Sequence, residues 1–209
     1  TGGMGTYSDA NYSLPFLDKN DIEQAKNINL KTVEALKSKY GEGYKGILYG
    51  GFMATSNGVK LIEYNARLGD PEAMNVLSIL DTDLIDICNA IGAGTLNELD
   101  VIFQAKATVC KYAVPEGYPD NPTKGKVIDI SSVSNKNSLF FASVEAKDNK
   151  ILEAGSRTIA AIGIADSISE AEEIAEEQIS RIKGPLFHRK DIGTKKLIKK
   201  RVEHMKSLR

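Results

Sequence analysis

Histidine is scarce, cysteine occurs twice and no apolar run is long, and each shortage narrows what the chain can be. Cys88 and Cys110 each lie inside an apolar stretch without CxxC spacing. Both read as reduced core residues, which sets aside a disulfide framework or a zinc site and suits a cytoplasmic protein. His188 and His204 stand apart from any partner pattern, so no nucleophilic triad is expected. No stretch approaches the ~20 apolar residues of a membrane span. No charged segment followed by an apolar one marks a secretory leader. An excess of one charge is also lacking: 27 basic and 28 acidic side chains leave a net charge of −1. Such a balance gives no field for steering nucleic acid or holding a membrane surface, and neither partner is expected.

What is present is enough for real cores. The chain has 209 residues, 42% of them hydrophobic, which fits one large or two small domains. A first residue of Thr rather than Met suggests a piece of something longer. The spacing predicts a helix over 21–40, with Asn20 as N-cap, Glu23 in box position and Ile22, Ala25, Val33, Leu36 and Tyr40 on one face. Gly41 and Gly43 end it. Strands over 46–55 and 59–68 are joined by Asn57-Gly58, a strong hairpin signal. Asp70-Pro71-Glu72 reads as a helix start with Asp70 as cap, followed by Met74, Val76, Leu77 and Leu80. A second helix runs to about residue 91.

Beyond residue 104 the texture changes to short β segments at 105–113, 124–131, 138–146, 150–154 and 157–165. One main helix follows, with Ser169 as cap, Glu172 in box position and Ala171, Ile174, Ala175 and Ile182 on one side. The basic stretch 181–209 fits a solvated helix ending in cations better than a nucleic-acid arm. A domain boundary is placed near residue 100, giving 1–100 and 101–209, and the fold class is α+β.

The stretch "LIEYNARLGDPEA" (61–73) is too polar for an ordinary strand and turn. In an extended segment Glu63, Asn65 and Arg67 share one face, with Ile62, Tyr64, Ala66 and Leu68 on the other, toward a core. A carboxylate and an amide oxygen about 7 Å apart along a strand can meet one hard cation, and Mg²⁺ takes few protein ligands beside substrate phosphates. Arg67 adds a planar fork for phosphate or carboxylate. Gly50-Gly51 on the partner strand would allow close approach of a ligand or backbone. A solvated face with a Glu/Arg ion pair explains the same spacing equally well.

"GILYGGFMATSNGVKLIEYNARLGDPEA" (46–73) resembles the C-terminal part of the ATP-grasp domain in the phosphoribosylamine–glycine ligase family. "TGGMGTYSDA" (1–10), "AGSRTIAAIGIADSISEAEEIA" (154–175) and "FHRKDIG" (187–193) resemble further stretches of that family, in the same order. The resemblance implies the C-terminal part of an ATP-grasp domain, antiparallel strands with helices, followed by a small β-rich domain with one main helix. It implies ATP-dependent joining of glycine to phosphoribosylamine through a glycyl phosphate, with Mg²⁺ or Mn²⁺ as metal. Glu63 and Asn65 match the metal ligands, Arg67 the catalytic arginine, and Gly2, Gly3 and Asp70 positions at the nucleotide. A plain helix cap would account for Asp70 as well. The family's N-terminal half would be a partner, and the chain would be inactive without it. The strand Tyr49–Phe52 carries no carboxylate, so a second metal would need a ligand from elsewhere. The alternatives are another ATP-grasp carboxylate–amine ligase and a non-catalytic binding module.

Overall fold

The structure, a computed structural model, describes residues 3–209. In chain order come strand β1 (Gly5–Ser8), helix α1 (Lys19–Tyr40), strands β2 (Tyr49–Thr55) and β3 (Gly58–Asn65), and helices α2 (Glu72–Leu77) and α3 (Leu84–Ala93). Strands β4 (Ala107–Pro115), β5 (Val127–Ile128), β6 (Leu139–Phe141), β7 (Val144–Lys147), β8 (Lys150–Glu153) and β9 (Ile159–Ala165) follow. Helix α4 (Ile168–Ser180), strand β10 (Leu186–His188) and helix α5 (Lys195–Leu208) come last. The architecture is α+β, and every named strand pairing is antiparallel. By contacts the chain forms two units, one of Thr1–Ser13, Asp70–Ile79 and Ala105–Ile198, the other of Leu14–Gly69, Leu80–Gln104 and Lys199–Arg209.

The first unit is built around β4, whose nine residues are all buried. One edge of β4 pairs with β9; β1 and β10 share its other edge end to end, and β6 extends the sheet beyond β9. Helix α4 lies on β4 and β9, sending Ile168, Ala171, Ala175 and Ile179 into the core with Val109, Cys110, Tyr112 and Ile162. A separate three-stranded sheet runs β5-β8-β7.

Gly163 lets α4 sit this close. A Cβ built there would lie 1.9 Å from the Ala171 carbonyl oxygen and 2.8 Å from the Ala175 amide nitrogen. Those are backbone atoms of a helix and cannot swing aside, so overpacking acts at full strength. Gly163→Ala is expected to destabilise the chain by about 3 kcal/mol, at the upper end of overpacking penalties, read by urea denaturation.

Within the same unit, wholly buried Lys111 crosses from β4 to α4. Its Nζ lies 2.6 Å from both Glu172 Oε1 and Glu176 Oε2 and donates to the Lys190 carbonyl at 3.2 Å. Glu176 also meets His188 Nε2 at 3.0 Å. Burial opposes ionisation of Glu176, but hydrogen bonds from Lys111 and His188 outweigh it and the carboxyl titrates below its ordinary value. Arg189 closes the following turn with a two-point pair to Asp191 at 3.0 and 2.6 Å, and this bonding holds Asp191 low as well. With folded values below the unfolded ones, the stability from both groups is complete above the ordinary carboxylate range. It is lost as pH falls through the lowered folded values. The melting temperature is therefore expected to fall between about pH 5 and about pH 3, and to fall less in an Asp191→Asn variant.

The second unit holds α1 against the β2–β3 hairpin. Gln24 accepts from the Val59 amide at 3.0 Å, and the Tyr64 hydroxyl reaches Asn29 at 2.9 Å and Thr32 at 3.1 Å. Helix α1 begins two residues earlier than its spacing predicts. Asp18, not Asn20, is the N-cap, and Asp21 closes the capping box, because an aspartate pair at that spacing satisfies both free amides. Gly41 ends it in the left-handed conformation, as expected. Arg209 near the end of α5 pairs with Asp18 at 2.9 Å and also contacts Asp21.

Other expectations need correction. Ile22 and Tyr40 are exposed, since the helix turns its Gln24, Asn29 and Thr32 face to the hairpin. Strand β3 stops at Asn65 rather than 68, and Ile62 is 62% exposed because the ladder bulges beside it, with Gly51 pairing Glu63 while Phe52 pairs Leu61. Helix α2 has Pro71 at its cap position with no side-chain cap bond, and it buries Met74 and Asn75 rather than Val76 and Leu77. The segment 138–146 is two strands, β6 and β7, in different sheets. Ser167 and Glu170 cap α4 in place of Ser169 and Glu172, and Ile174 faces outward. Cys110 is buried as expected, but Cys88 is exposed on α3, which buries Ile87 instead.

Candidate functional site

Glu63, Asn65 and Arg67 belong to the second unit, and Gly3 and Asp70 to the first. Gly2 lies outside the described residues. On β3 the side chain of Tyr64 is committed to α1 through Asn29 and Thr32. Glu63 and Asn65, on either side of it, therefore share the opposite face of the hairpin. Gly51 stands opposite Glu63 in the ladder and leaves that face uncovered; a Cβ there would make only ordinary contact, 3.6 Å from Glu63 Cγ. Among the described residues neither the Glu63 carboxylate nor the Asn65 amide has a hydrogen-bond partner. They are two uncommitted hard oxygen donors, the type Mg²⁺ and Mn²⁺ accept.

Gly50 has a different reason for being glycine. A Cβ there would lie 2.6 Å from Phe52 Cε2 and 3.1 Å from Asn29 Oδ1, so it makes room for packing rather than for a ligand. Arg67 falls two residues past the end of β3, not on its face. Its Nη1 donates to the Leu68 carbonyl at 2.7 Å, and its other donors are uncommitted among the described residues. No group of three or more His, Cys, Asp or Glu side chains among the described residues could hold a metal by itself.

In the first unit Asp70 is not a helix cap. Its Oδ2 pairs with Arg157 Nη2 at 2.7 Å, and its Oδ1 accepts from the Tyr112 hydroxyl at 3.2 Å. Arg157 Nη1 also donates to the carbonyls of Gly3 at 3.0 Å and Asp70 at 3.1 Å, and the guanidinium stacks 4.9 Å over the Tyr112 ring. Burial, reinforced by the Asp70 charge, pushes the Tyr112 phenol well above its ordinary value, so it stays a proton donor. Gly3 has φ +75°, and a Cβ on it would lie 2.6 Å from Arg157 Nη1, so the guanidinium occupies the space a side chain would need. Burial likewise raises the Cys110 thiol to about 12, consistent with an inert core residue.

Neither Arg157 nor Tyr112 stood out in the sequence. Tyr112 sits in the apolar strand β4 and Arg157 in the short connection just ahead of β9, where a lone tyrosine or arginine signals only that some polar partner must be found.

Comparison with known proteins settles the family. Residues 1–73 match the family model described as "Phosphoribosylglycinamide synthetase, ATP-grasp (A) domain", and residues 108–195 the one described as "Phosphoribosylglycinamide synthetase, C domain". The phosphoribosylamine–glycine ligase of Methanosarcina barkeri is 53% identical over 209 residues, and that of Methanocaldococcus jannaschii 53% over 212. The chain belongs to the phosphoribosylglycinamide synthetase family. It spans about half the length of the curated relatives it matches, 48% of each of those two. Among synthetase structures, the crystal structure of phosphoribosylamine–glycine ligase from Thermotoga maritima aligns with a TM-score of 0.74 at 29% identity. That alignment covers 92% of this chain and 46% of the other. The biotin carboxylase domain of a thermophilic 2-oxoglutarate carboxylase, 16% identical with a TM-score of 0.58, shares the fold alone; it aligns over 92% of this chain and 42% of its own. The synthetase membership bears out the expected ATP-grasp part and C-terminal domain.

Proposed function

We propose that this chain, joined to the family's N-terminal half, ligates glycine to 5-phosphoribosylamine with ATP, giving glycinamide ribonucleotide, ADP and phosphate in the cytoplasm. The observation that carries the reading is the uncommitted pair Glu63 and Asn65 on one open face of β3. In this reading their oxygens hold one Mg²⁺ or Mn²⁺ ion, which when bound neutralises charge on the ATP phosphates. Arg67, past the strand end, supplies positive charge for the phosphate or acyl-phosphate oxygens. The family resemblance also assigns Gly2, Gly3 and Asp70 to nucleotide binding; Gly2 lies outside the described residues. Carboxylate activation asks little covalent chemistry of protein; positioning and charge do the work. The division near residue 100 then separates the ATP-grasp part from the C-terminal domain, with the two family-model matches falling on either side.

The test is complementation. Mixed with the N-terminal half, the chain should form glycinamide ribonucleotide only when glycine, phosphoribosylamine, ATP and divalent metal are all present. Turnover with another carboxylate–amine pair, and none with these, would replace this reading with that of a different ATP-grasp ligase.

A further inference from the structure

The end of β3 that carries Glu63 and Asn65 has little of its own to hold it. Ile62 is the extra residue of the bulge, and past it only Glu63, Tyr64 and Asn65 remain in the ladder, opposite Gly51, Gly50 and Tyr49. Two of those three partners are glycines and offer no side chain for a cross-strand pair. A slip of one residue there would turn Glu63 and Asn65 to the other face of the hairpin. What resists it comes from α1. The Thr32 hydroxyl donates its proton to the Ile28 carbonyl at 2.9 Å. Its oxygen and Asn29 Oδ1 are therefore both acceptors for the single Tyr64 proton, at 3.1 and 2.9 Å. Gly50, the ladder partner of Tyr64, leaves room for this bond, since a Cβ there would lie 3.1 Å from Asn29 Oδ1.

We propose that Asn29 and Thr32 are positioning residues for the divalent cation: through the Tyr64 hydroxyl they fix the last three residues of β3 in register and so aim Glu63 and Asn65 at one ion. For the identity of that ion's site the proposal rests on the ligase reading above. Neither α1 residue touches the ion; both act through Tyr64. Aim matters here because the site has few ligands to share the task. Among the described residues no cluster of three or more His, Cys, Asp or Glu side chains backs up the pair. Outer hydrogen bonds that orient metal ligands typically carry about 10–100-fold in metal affinity. The other end of β3 has its own tether, Gln24 to the Val59 amide, so loss of the Tyr64 bond acts on the Glu63 end alone.

The test reads register and metal separately. In the assembled, metal-free enzyme, hydrogen exchange over 62–66 should quicken about fivefold in Tyr64→Phe, the factor one net hydrogen bond is worth, while 58–61 changes by less than about twofold. With ADP present, Mn²⁺ followed by water-proton relaxation should bind Tyr64→Phe at least about tenfold more weakly than wild type. Asn29→Ala and Thr32→Val combined should match that loss. Adding Tyr64→Phe to the pair should cause no further one, since all three act through one hydroxyl. Thr32→Ser, which keeps the acceptor oxygen, should bind Mn²⁺ like wild type. KM for glycine at saturating metal should stay within about twofold in Tyr64→Phe; a merely structural role would raise it together with the metal requirement. Mn²⁺ affinity in Tyr64→Phe within about twofold of wild type, or exchange quickened evenly from 58 to 66, would overturn the proposal. If Glu63→Gln holds Mn²⁺ as well as wild type does, the metal reading of the site fails instead, and the exchange contrast still decides whether Tyr64 sets the register.

Discussion

Glu63→Gln is expected to lower ligase turnover of the assembled enzyme by at least about 10²–10³-fold, the scale set by losing one group that stabilises developing charge. The substitution keeps size and leaves the backbone ladder with Gly51 in place, so stability should hardly change. What it removes is the only carboxylate on β3, which with the Asn65 amide is one of two side chains on that face without a hydrogen-bond partner among the described residues. Asn65→Leu should cause a smaller loss, since an amide oxygen carries no net charge. Kinetics at saturating glycine, with metal varied, would show the loss partly recovered at high Mg²⁺ if weakened metal binding is its cause. Full turnover in Glu63→Gln would remove the metal assignment.

The second large effect is on stability. Lys111→Ala is expected to destabilise the chain by about 3–5 kcal/mol, the usual result of removing one member of a buried ion pair. Its Nζ is the shared partner of Glu172 and Glu176, whose side chains are only 14% and 27% exposed, so two carboxylates would lose their closest positive group. Replacing all three together, by Met at 111 and Leu at 172 and 176, should cost far less than Lys111→Ala alone, because burying ions is itself expensive. Chemical denaturation of both variants makes the comparison. A Lys111→Ala loss within about 0.5 kcal/mol would mean that solvent already screens the network.

The contrast between these two sites shows what the sequence made legible. Glu63 and Asn65 were readable because a strand's alternation needs only local rules, and the Asn57-Gly58 turn fixed where β3 begins. The bulge at Ile62 was not readable, since it depends on how Gly50, Phe52 and Asn29 pack across the ladder. Helix spans followed from periodicity, but the caps at Asp18 and Ser167 won over Asn20 and Ser169 by bonds whose geometry no spacing rule ranks. Asp70 looked like a cap because D-P-E fits the start of a helix. Its carboxylate instead answers to Arg157, 87 positions away. Lys111 is the plainest case: a lone lysine in "ATVCKYAVP" says that a partner must exist, and only the fold reveals α4 as its source.

The most direct measurement of the central claim is Mn²⁺ electron paramagnetic resonance of the assembled enzyme with ADP. Wild type should bind Mn²⁺ in the presence of nucleotide, and both Glu63→Gln and Asn65→Leu should release it at the same metal concentration. Mn²⁺–ADP held equally well by a variant lacking both oxygens would contradict the account.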